Sequence, residues 1–287
     1  MNLPTAPIEL KALGRLDRKF SEFNDKHGWA ACVVAPCIVA VMLLVIYAVK
    51  RVYPFGNNTV AYYDLANNFL PIYTYFWDVM HGDAGLYLNW YSGLGVSMAD
   101  ITGTFLLFPT NLLLLLSSRD GLLDFMSYFL IIKMALSALT MSLYYKKRFC
   151  SSAGAVCAGL LYACSGYVLQ DYTNIFFLDL VIIFPLLIWA FERLVNEHKY
   201  VLFTGLLFIT FLGYSQLVIS VMFYLVFKCY FLLETVPDEK KGKSLRLFFF
   251  SVLTAFLLSC FNTVPMVLQL MLSTRIEMNQ GFDYIKK

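Results

Sequence analysis

Two ionisable side chains, Lys133 and Asp179, stand inside long runs of apolar residues, and a third, Asp64, stands among aromatics and amides shortly after the first such run. Charge in hydrocarbon is costly, so Lys133 and Asp179 each need a polar cavity, a ligand or one another. Lys133 could hold a lipid phosphate, or it could pair with Asp179 as a structural ion pair; both readings stand. Asp64 belongs to the stretch Ala61-Tyr62-Tyr63-Asp64-Leu65-Ala66-Asn67-Asn68-Phe69-Leu70-Pro71-Ile72-Tyr73. Rings such as Tyr63 offer faces to a sugar or a lipid headgroup, amides such as Asn67 offer hydrogen bonds, and a carboxylate can accept a hydroxyl proton. The competing reading is an interfacial aromatic belt with a solvated acid.

Asp100 opens the approach to the apolar run 105–116 and is either a second acid or a cap for that segment. Asp171, Tyr172 and Asn174 lead into the run that carries Asp179. His81, beside the Gly82 turn, reads as a surface histidine, and Lys228 lies close enough to the end of its run to snorkel. Asp64, Asp78, Asp83 and Asp100 are acids of one segment without ligand spacing. The seven cysteines include no CxxC pair and read as small buried hydrophobes. No cofactor is expected on these grounds, and a requirement for a divalent metal is left open.

The elements that must position these groups are membrane helices. Of the 287 residues 60% are hydrophobic and only 14% charged, against about a quarter charged in a soluble domain. Mean hydropathy is +0.67. A net charge of +3, spread in short clusters between apolar runs, gives no reason to expect nucleic acid; such clusters are topology signals. Spanning the bilayer takes roughly 20 apolar residues. The runs 29–49, 124–145, 153–168, 175–191, 200–214, 217–233 and 247–272 predict about seven spans in an all-α helical bundle. The polar stretch 1–28 is too long and charged for a signal-peptide n-region, so the first helix is an uncleaved anchor. Ile8, Leu10, Leu13, Leu16 and Phe20 recur within it at near-helical spacing, as in an amphipathic helix on the cytoplasmic leaflet, or are leucines scattered in a basic tail.

The run 105–116 reaches only about 18 Å as an α-helix, short of the roughly 30 Å hydrocarbon core, and Pro109 and Asn111 interrupt it. If it does not span, then Lys146-Lys147-Arg148, Arg193 with Lys199, and Lys240-Lys241-Lys243-Arg246 all fall on the cytoplasmic side with the basic N-terminus; if it spans, all three fall outside. It is therefore expected to be a re-entrant or interfacial helix at the outer face. The resulting organisation is a cytoplasmic segment 1–28, a transmembrane domain 29–272 with a large outer loop 51–123, and an outer tail 273–287. The chain is thus a multi-pass protein of the cell membrane, its N-terminus cytoplasmic and its partner the lipid bilayer.

In order along the chain, Tyr63-Asp64-Leu65 to Pro71, Gly93-Leu94-Gly95 and Phe108-Pro109-Thr110-Asn111-Leu112-Leu113-Leu114 resemble the start of the bacterial YfhO family of membrane proteins. Lys133 in the following helix, Tyr162-Ala163-Cys164-Ser165-Gly166-Tyr167 and Phe177-Leu178-Asp179 with Pro185-Leu186-Leu187 agree with it, over about residues 29–230. The family is similar to the C-type glycosyltransferases, polytopic enzymes that move a sugar from a polyprenyl-phosphate carrier to a cell-surface acceptor. The resemblance implies a C-type-like fold, Asp64 as general base for an inverting transfer, and Lys133 steadying the phosphate leaving group. Its implied partners are a polyprenyl-phosphate-linked sugar and a glycopolymer or other acceptor. Phe177 stands where the family commonly has Trp, and Asn174 where a His is expected, which puts a proton relay at that turn in doubt. Family chains run longer, so an N-terminal portion or a shortened relative is expected.

Two other functions compete with the transferase. A transporter or lipid-linked-sugar flippase is motivated by Lys133, Asp179 and the helix prolines Pro185 and Pro265. A non-catalytic truncated subunit is motivated only by the early end of the chain.

Overall fold

The computed structural model describes residues 30–90, 95–98, 106–213 and 218–272. The expected N-terminal amphipathic segment, Asp100, the turn 214–217 and the tail 273–287 lie outside the described residues. What is described is all-α apart from one short antiparallel hairpin, β1 (Leu88–Asn89) on β2 (Val96–Ser97). The α-helices are α1 (Ala30–Lys50), α2 (Leu70–His81), α3 (Leu122–Phe149), α4 (Ser152–Ala163), α5 (Gly166–Gln170), α6 (Phe177–Glu197), α7 (Val201–Gly213), α8 (Val218–Thr235) and α9 (Asp238–Leu272). A π-helical turn, Leu65–Phe69, leads into α2, and a 3₁₀ helix, Pro109–Leu116, precedes α3.

Among the described residues four helical stretches are long and apolar enough to cross a membrane: Cys32–Lys50, Leu122–Phe149, Ser152–Gln170 and Asp238–Gln269. Three expected spans fall short of that standard, and in the run 217–233 only the shorter apolar helix Ser220–Phe231 stands. Helix α6 has the length but carries Asp179, Glu192, Arg193 and Glu197. Helix α7, at 13 residues, rises only about 20 Å. The single run expected over 153–168 is divided at Cys164 and Ser165 into α4 and α5, and α9 begins well before its expected start because the charged stretch from Asp238 to Arg246 is helical too.

Local chemistry sets the helix ends. Asp124 lies in the first turn of α3 and Lys146, Lys147 and Arg148 in its last, matching the helix dipole at both ends. Ser151 caps α4, its hydroxyl accepting from the Gly154 N–H at 3.1 Å. Helices α1, α3 and α4 pack tightly together, and Gly159 marks the closest approach: a β-carbon there would stand 2.7 Å from the Ala138 carbonyl and 2.9 Å from the Ala35 methyl. Small residues at crossings let membrane helices gain van der Waals contact where apolar burial gives none. Outward, Val41, Val45 and Val49 on α1 and Leu253, Leu257, Phe261 and Leu268 on α9 form exposed apolar stripes, the surface a bilayer would cover.

Two cores result. One joins α1, α2, the 3₁₀ helix, α3 and the start of α6; the other joins the rest of α6 with α7, α8 and α9. Helix α6 belongs to both. The cysteines depart from the expected burial: Cys32 and Cys229 are buried, but Cys37, Cys150 and Cys157 are exposed. On a membrane helix an apolar side chain need not turn inward, since lipid is as apolar as the core.

The bundle has two chemically distinct ends. At one, Arg148 and Lys228 both meet Glu192, and the Ser244 hydroxyl donates to the Val195 carbonyl at 2.9 Å. The three basic clusters therefore share an end. At the other, Phe108 packs against the last residue of α7, Gly213, and the Tyr87 hydroxyl donates to the Phe261 carbonyl at 3.3 Å. The 3₁₀ helix stays at this second end.

Candidate functional site

Asp64 is set on an unusual piece of backbone. Tyr63 adopts φ 48°, a left-handed conformation that costs a non-glycine residue about 1–3 kcal/mol and is tolerated where the surroundings enforce it. Directly after Asp64 the chain makes the π-helical turn Leu65–Phe69, a geometry concentrated at functional sites. Leu65 is fully buried and Phe69 packs on Phe176 with ring centroids 4.7 Å apart. The turn is thus anchored from below while its polar side chains face out. Tyr63, Asp64, Asn67 and Asn68 are all exposed. The Asp64 carboxylate accepts from Asn68 Nδ2 at 2.9 Å and has no cation beside it among the described residues.

Next to this turn lies a cavity of about 470 Å³ between α1, α3 and the 52–62 segment. Leu43, Ile46, Leu130 and Met134 make its walls apolar, while Lys50, Asn58, Tyr62 and Tyr172 supply its polar groups. Lys50 is exposed, and the Asn58 amide donates to its carbonyl at 2.8 Å, fixing the chain where α1 ends. Tyr172 ties the cavity to the turn: burial, then its neighbours Tyr62 and Tyr63, push its phenol above the ordinary value.

Lys133 and Asp179 are brought together. Lys133 Nζ donates to Asp179 Oδ2 at 2.8 Å, and neither side chain has any exposed surface. The ammonium also donates to the Ile175 carbonyl at 3.3 Å and lies 4.3 Å from the centre of the Phe129 ring. The Thr110 hydroxyl donates to Asp179 Oδ1. Tyr73 is buried alongside, its ring edge-on to Phe129 at 6.0 Å. A buried pair holds only when its remaining polar valences are filled, and the 3₁₀ helix supplies Thr110 for that purpose. Because Lys133 has no exposed surface, a phosphate outside the bundle does not reach it in this arrangement. The cation lining the cavity is Lys50, a residue that sequence reasoning passed over because a Lys at a helix end is ordinary.

The other polar residues singled out make local contacts. Asn174 Nδ2 donates to Asp171 at 3.4 Å, within the turn before α6. His81 stacks on Trp77 at 3.5 Å and its Nδ1 lies 2.9 Å from the Trp77 carbonyl. Arg119 grips Asp78 with two nitrogens, at 2.7 and 3.0 Å, and Trp77 Nε1 donates to the Ser117 carbonyl at 3.1 Å. Both contacts tie α2 to the stretch after the 3₁₀ helix. Sequence reading also missed Glu192, which accepts from Lys228 at 2.8 Å and from the Tyr144 hydroxyl at 3.2 Å. Lys228 therefore has a carboxylate partner as well as a place near a helix end. Among the described residues no group of three His, Cys, Asp or Glu side chains is placed to hold a metal ion.

The family model described as bacterial membrane protein YfhO matches residues 35–285. No curated protein and no solved structure matches the chain. By that extensive match the chain belongs to the YfhO family.

Proposed function

From this family membership and the site geometry, we propose that the chain is an inverting membrane glycosyltransferase that moves a sugar from a polyprenyl-phosphate carrier to a cell-surface acceptor. The observation that carries the reading is the exposed carboxylate of Asp64, held on a strained, π-turned backbone two residues after Tyr62, which lines a cavity with apolar walls and Lys50 in its lining. In the proposed orientation the end with the basic clusters faces the cytoplasm, as the positive-inside rule requires. Asp64 and the cavity then face out.

The prenyl chain lies along Leu43, Ile46, Leu130 and Met134, and its phosphate meets Lys50. Asp64 takes the proton of an acceptor hydroxyl. The acceptor oxygen attacks the anomeric carbon from the face opposite the phosphate, the bond from that carbon to the phosphate oxygen breaks, and polyprenyl phosphate leaves with the electron pair. Lys50 stabilises the charge that grows on the departing oxygen. Lys133 is a positioning residue in this scheme, holding Asp179 and, through Thr110, the 3₁₀ helix against the bundle.

Replacing Asp64 by Asn removes the base without changing shape and is expected to lower transfer by about 10²–10⁴-fold, with membrane insertion intact. The readout is surface glycan decoration in cells and transfer from a polyprenyl-phosphate sugar by purified protein. Undiminished decoration in a well-expressed Asp64→Asn strain would sink the proposal. Reconstituted vesicles that move the lipid-linked sugar across the bilayer without transferring it would replace the transferase with a transporter.

A further inference from the structure

A second pocket, of about 380 Å³, opens at the base of the β1–β2 hairpin and is lined by Tyr75, Asp83, Gly85, Leu88 and Trp90 among others. Its volume lies within the range of small-ligand sites, about 300–1,000 Å³. Trp90 is 70% exposed and its indole N–H has no hydrogen-bond partner among the described residues. The other described tryptophans have polar contacts: Trp77 donates to the Ser117 carbonyl, and the Arg193 guanidinium lies over the Trp189 ring at 5.2 Å. The Trp90 ring touches Gly95 across the hairpin and is otherwise left largely open beside the pocket.

The platform is nevertheless fixed. Gly95, at φ 101°, lies against the six-membered half of the Trp90 ring, where a β-carbon would stand 3.0 Å from its Cε3. Only glycine both adopts that backbone readily and lets the chain approach the ring so closely. The Tyr75 hydroxyl reaches from α2 to the Leu88 carbonyl at 2.9 Å and also contacts the Gly85 carbonyl, which pins the pocket wall. The Asp83 N–H donates to the Asp78 carbonyl at 2.9 Å, holding the turn that presents the Asp83 side chain.

We infer that this pocket is a carbohydrate-binding subsite, in which a neutral saccharide stacks a pyranose face on Trp90 while its hydroxyls donate to Asp83. The chemistry selects that class. An exposed flat ring receives the C–H face of a sugar. The charged group in the lining is a carboxylate, which accepts hydrogen bonds and so favours a ligand rich in donors over an anionic one. A quaternary ammonium is recognised by a cage of several rings, whereas here Trp90 is the exposed ring and Tyr75 is only 6% exposed. The site goes beyond the transferase reading and does not depend on it, since it would bind sugar whether or not Asp64 performs chemistry.

The test uses the full chain in lipid nanodiscs and saturation-transfer NMR with maltotetraose, cellotetraose and chitotetraose, with choline as a control. At least one oligosaccharide is expected to bind in the millimolar range. Trp90→Ala and Trp90→Leu, the latter keeping apolar bulk without a ring, each weaken it about tenfold or more, and Asp83→Asn weakens it several-fold. Asp64→Asn binds it as the parent does, so loss of transfer and loss of this subsite are read separately. Failure of all three sugars to bind overturns the inference, as does unaltered binding in both Trp90 variants. Binding of choline in their place, or quenching of Trp90 fluorescence by brominated lipid, assigns the ring to a cation site or to the headgroup layer and overturns it equally.

Discussion

Helix α6 carries an acid near each end, Asp179 in its first turn and Glu192 in its last third, about 20 Å apart along the axis. Asp179 has no exposed surface, and its charge is balanced by the equally enclosed Lys133. Glu192 keeps 12% of its side chain exposed and is shared by Lys228, itself 17% exposed, and by Arg148, 56% exposed, at the longer distance of 3.7 Å. The first arrangement is enclosed: the carboxylate meets the Lys133 ammonium and the Thr110 hydroxyl, and the ammonium also meets the Ile175 carbonyl. The second is open, with more than one cation able to serve the same acid. A closed pair makes the fold depend on each member, while an open cluster tolerates loss.

The difference can be broken most sharply at Asp179. Asp179→Ala strands the Lys133 ammonium among apolar groups and is expected to cost about 3–5 kcal/mol, read as a lower melting temperature of the detergent-solubilised protein. Replacing both partners, Lys133→Met with Asp179→Leu, is expected to recover most of that stability, because no unpaired charge is left. A double variant as unstable as Asp179→Ala would show that the pair is worth more than its desolvation. Thr110→Val removes one donor to Asp179 while keeping shape, at an expected cost of about 1.5–3 kcal/mol for a bond to a charged group. Greater protease accessibility of the 3₁₀ helix should accompany it. Glu192→Gln is expected to cost about 1 kcal/mol or less, because partly exposed pairs gain little net energy. Its effect should shrink further in high salt. A Glu192 variant as damaging as Asp179→Ala would erase the distinction between the two ends.

The same contrast separates both pairs from Asp64. Asp64 has an amide partner and no cation nearby among the described residues, so its removal is expected to leave the melting temperature nearly unchanged while abolishing transfer. On the proposed function, stability and activity are expected to divide between residues that sequence reasoning had grouped into one site.

Much of this was legible from residue order. Apolar runs with few charges place the helices, and the brevity of the run 105–116 with Pro109 marks a helix too short to span; that its helix is 3₁₀ was not read from the sequence. The common end of the basic clusters follows from counting which runs cross. The hairpin at Leu88 was not legible, because strands of two residues carry no readable period; the break at Cys164–Ser165 falls in the Tyr162–Tyr167 turn that the family resemblance implied, although hydropathy alone read 153–168 as one run. Lys50 and Glu192 were missed because their residue types are commonplace at helix ends and only their neighbours make them notable. Trp90 was missed because exposure, not residue type, singles it out.

Asp64 entered as an acid among aromatics, and its composition alone made it a candidate. Residue types and hydropathy determined that this chain is an all-α membrane bundle and that Lys133 and Asp179 had to be neutralised, because the energy of charge in an apolar medium depends on little else. Which partner neutralises each, and which polar groups are left exposed for chemistry, was decided only by tertiary structure. Separation and solvent exposure fix those outcomes, and both arise from contacts such as Lys133 with Asp179, 46 residues apart in the chain.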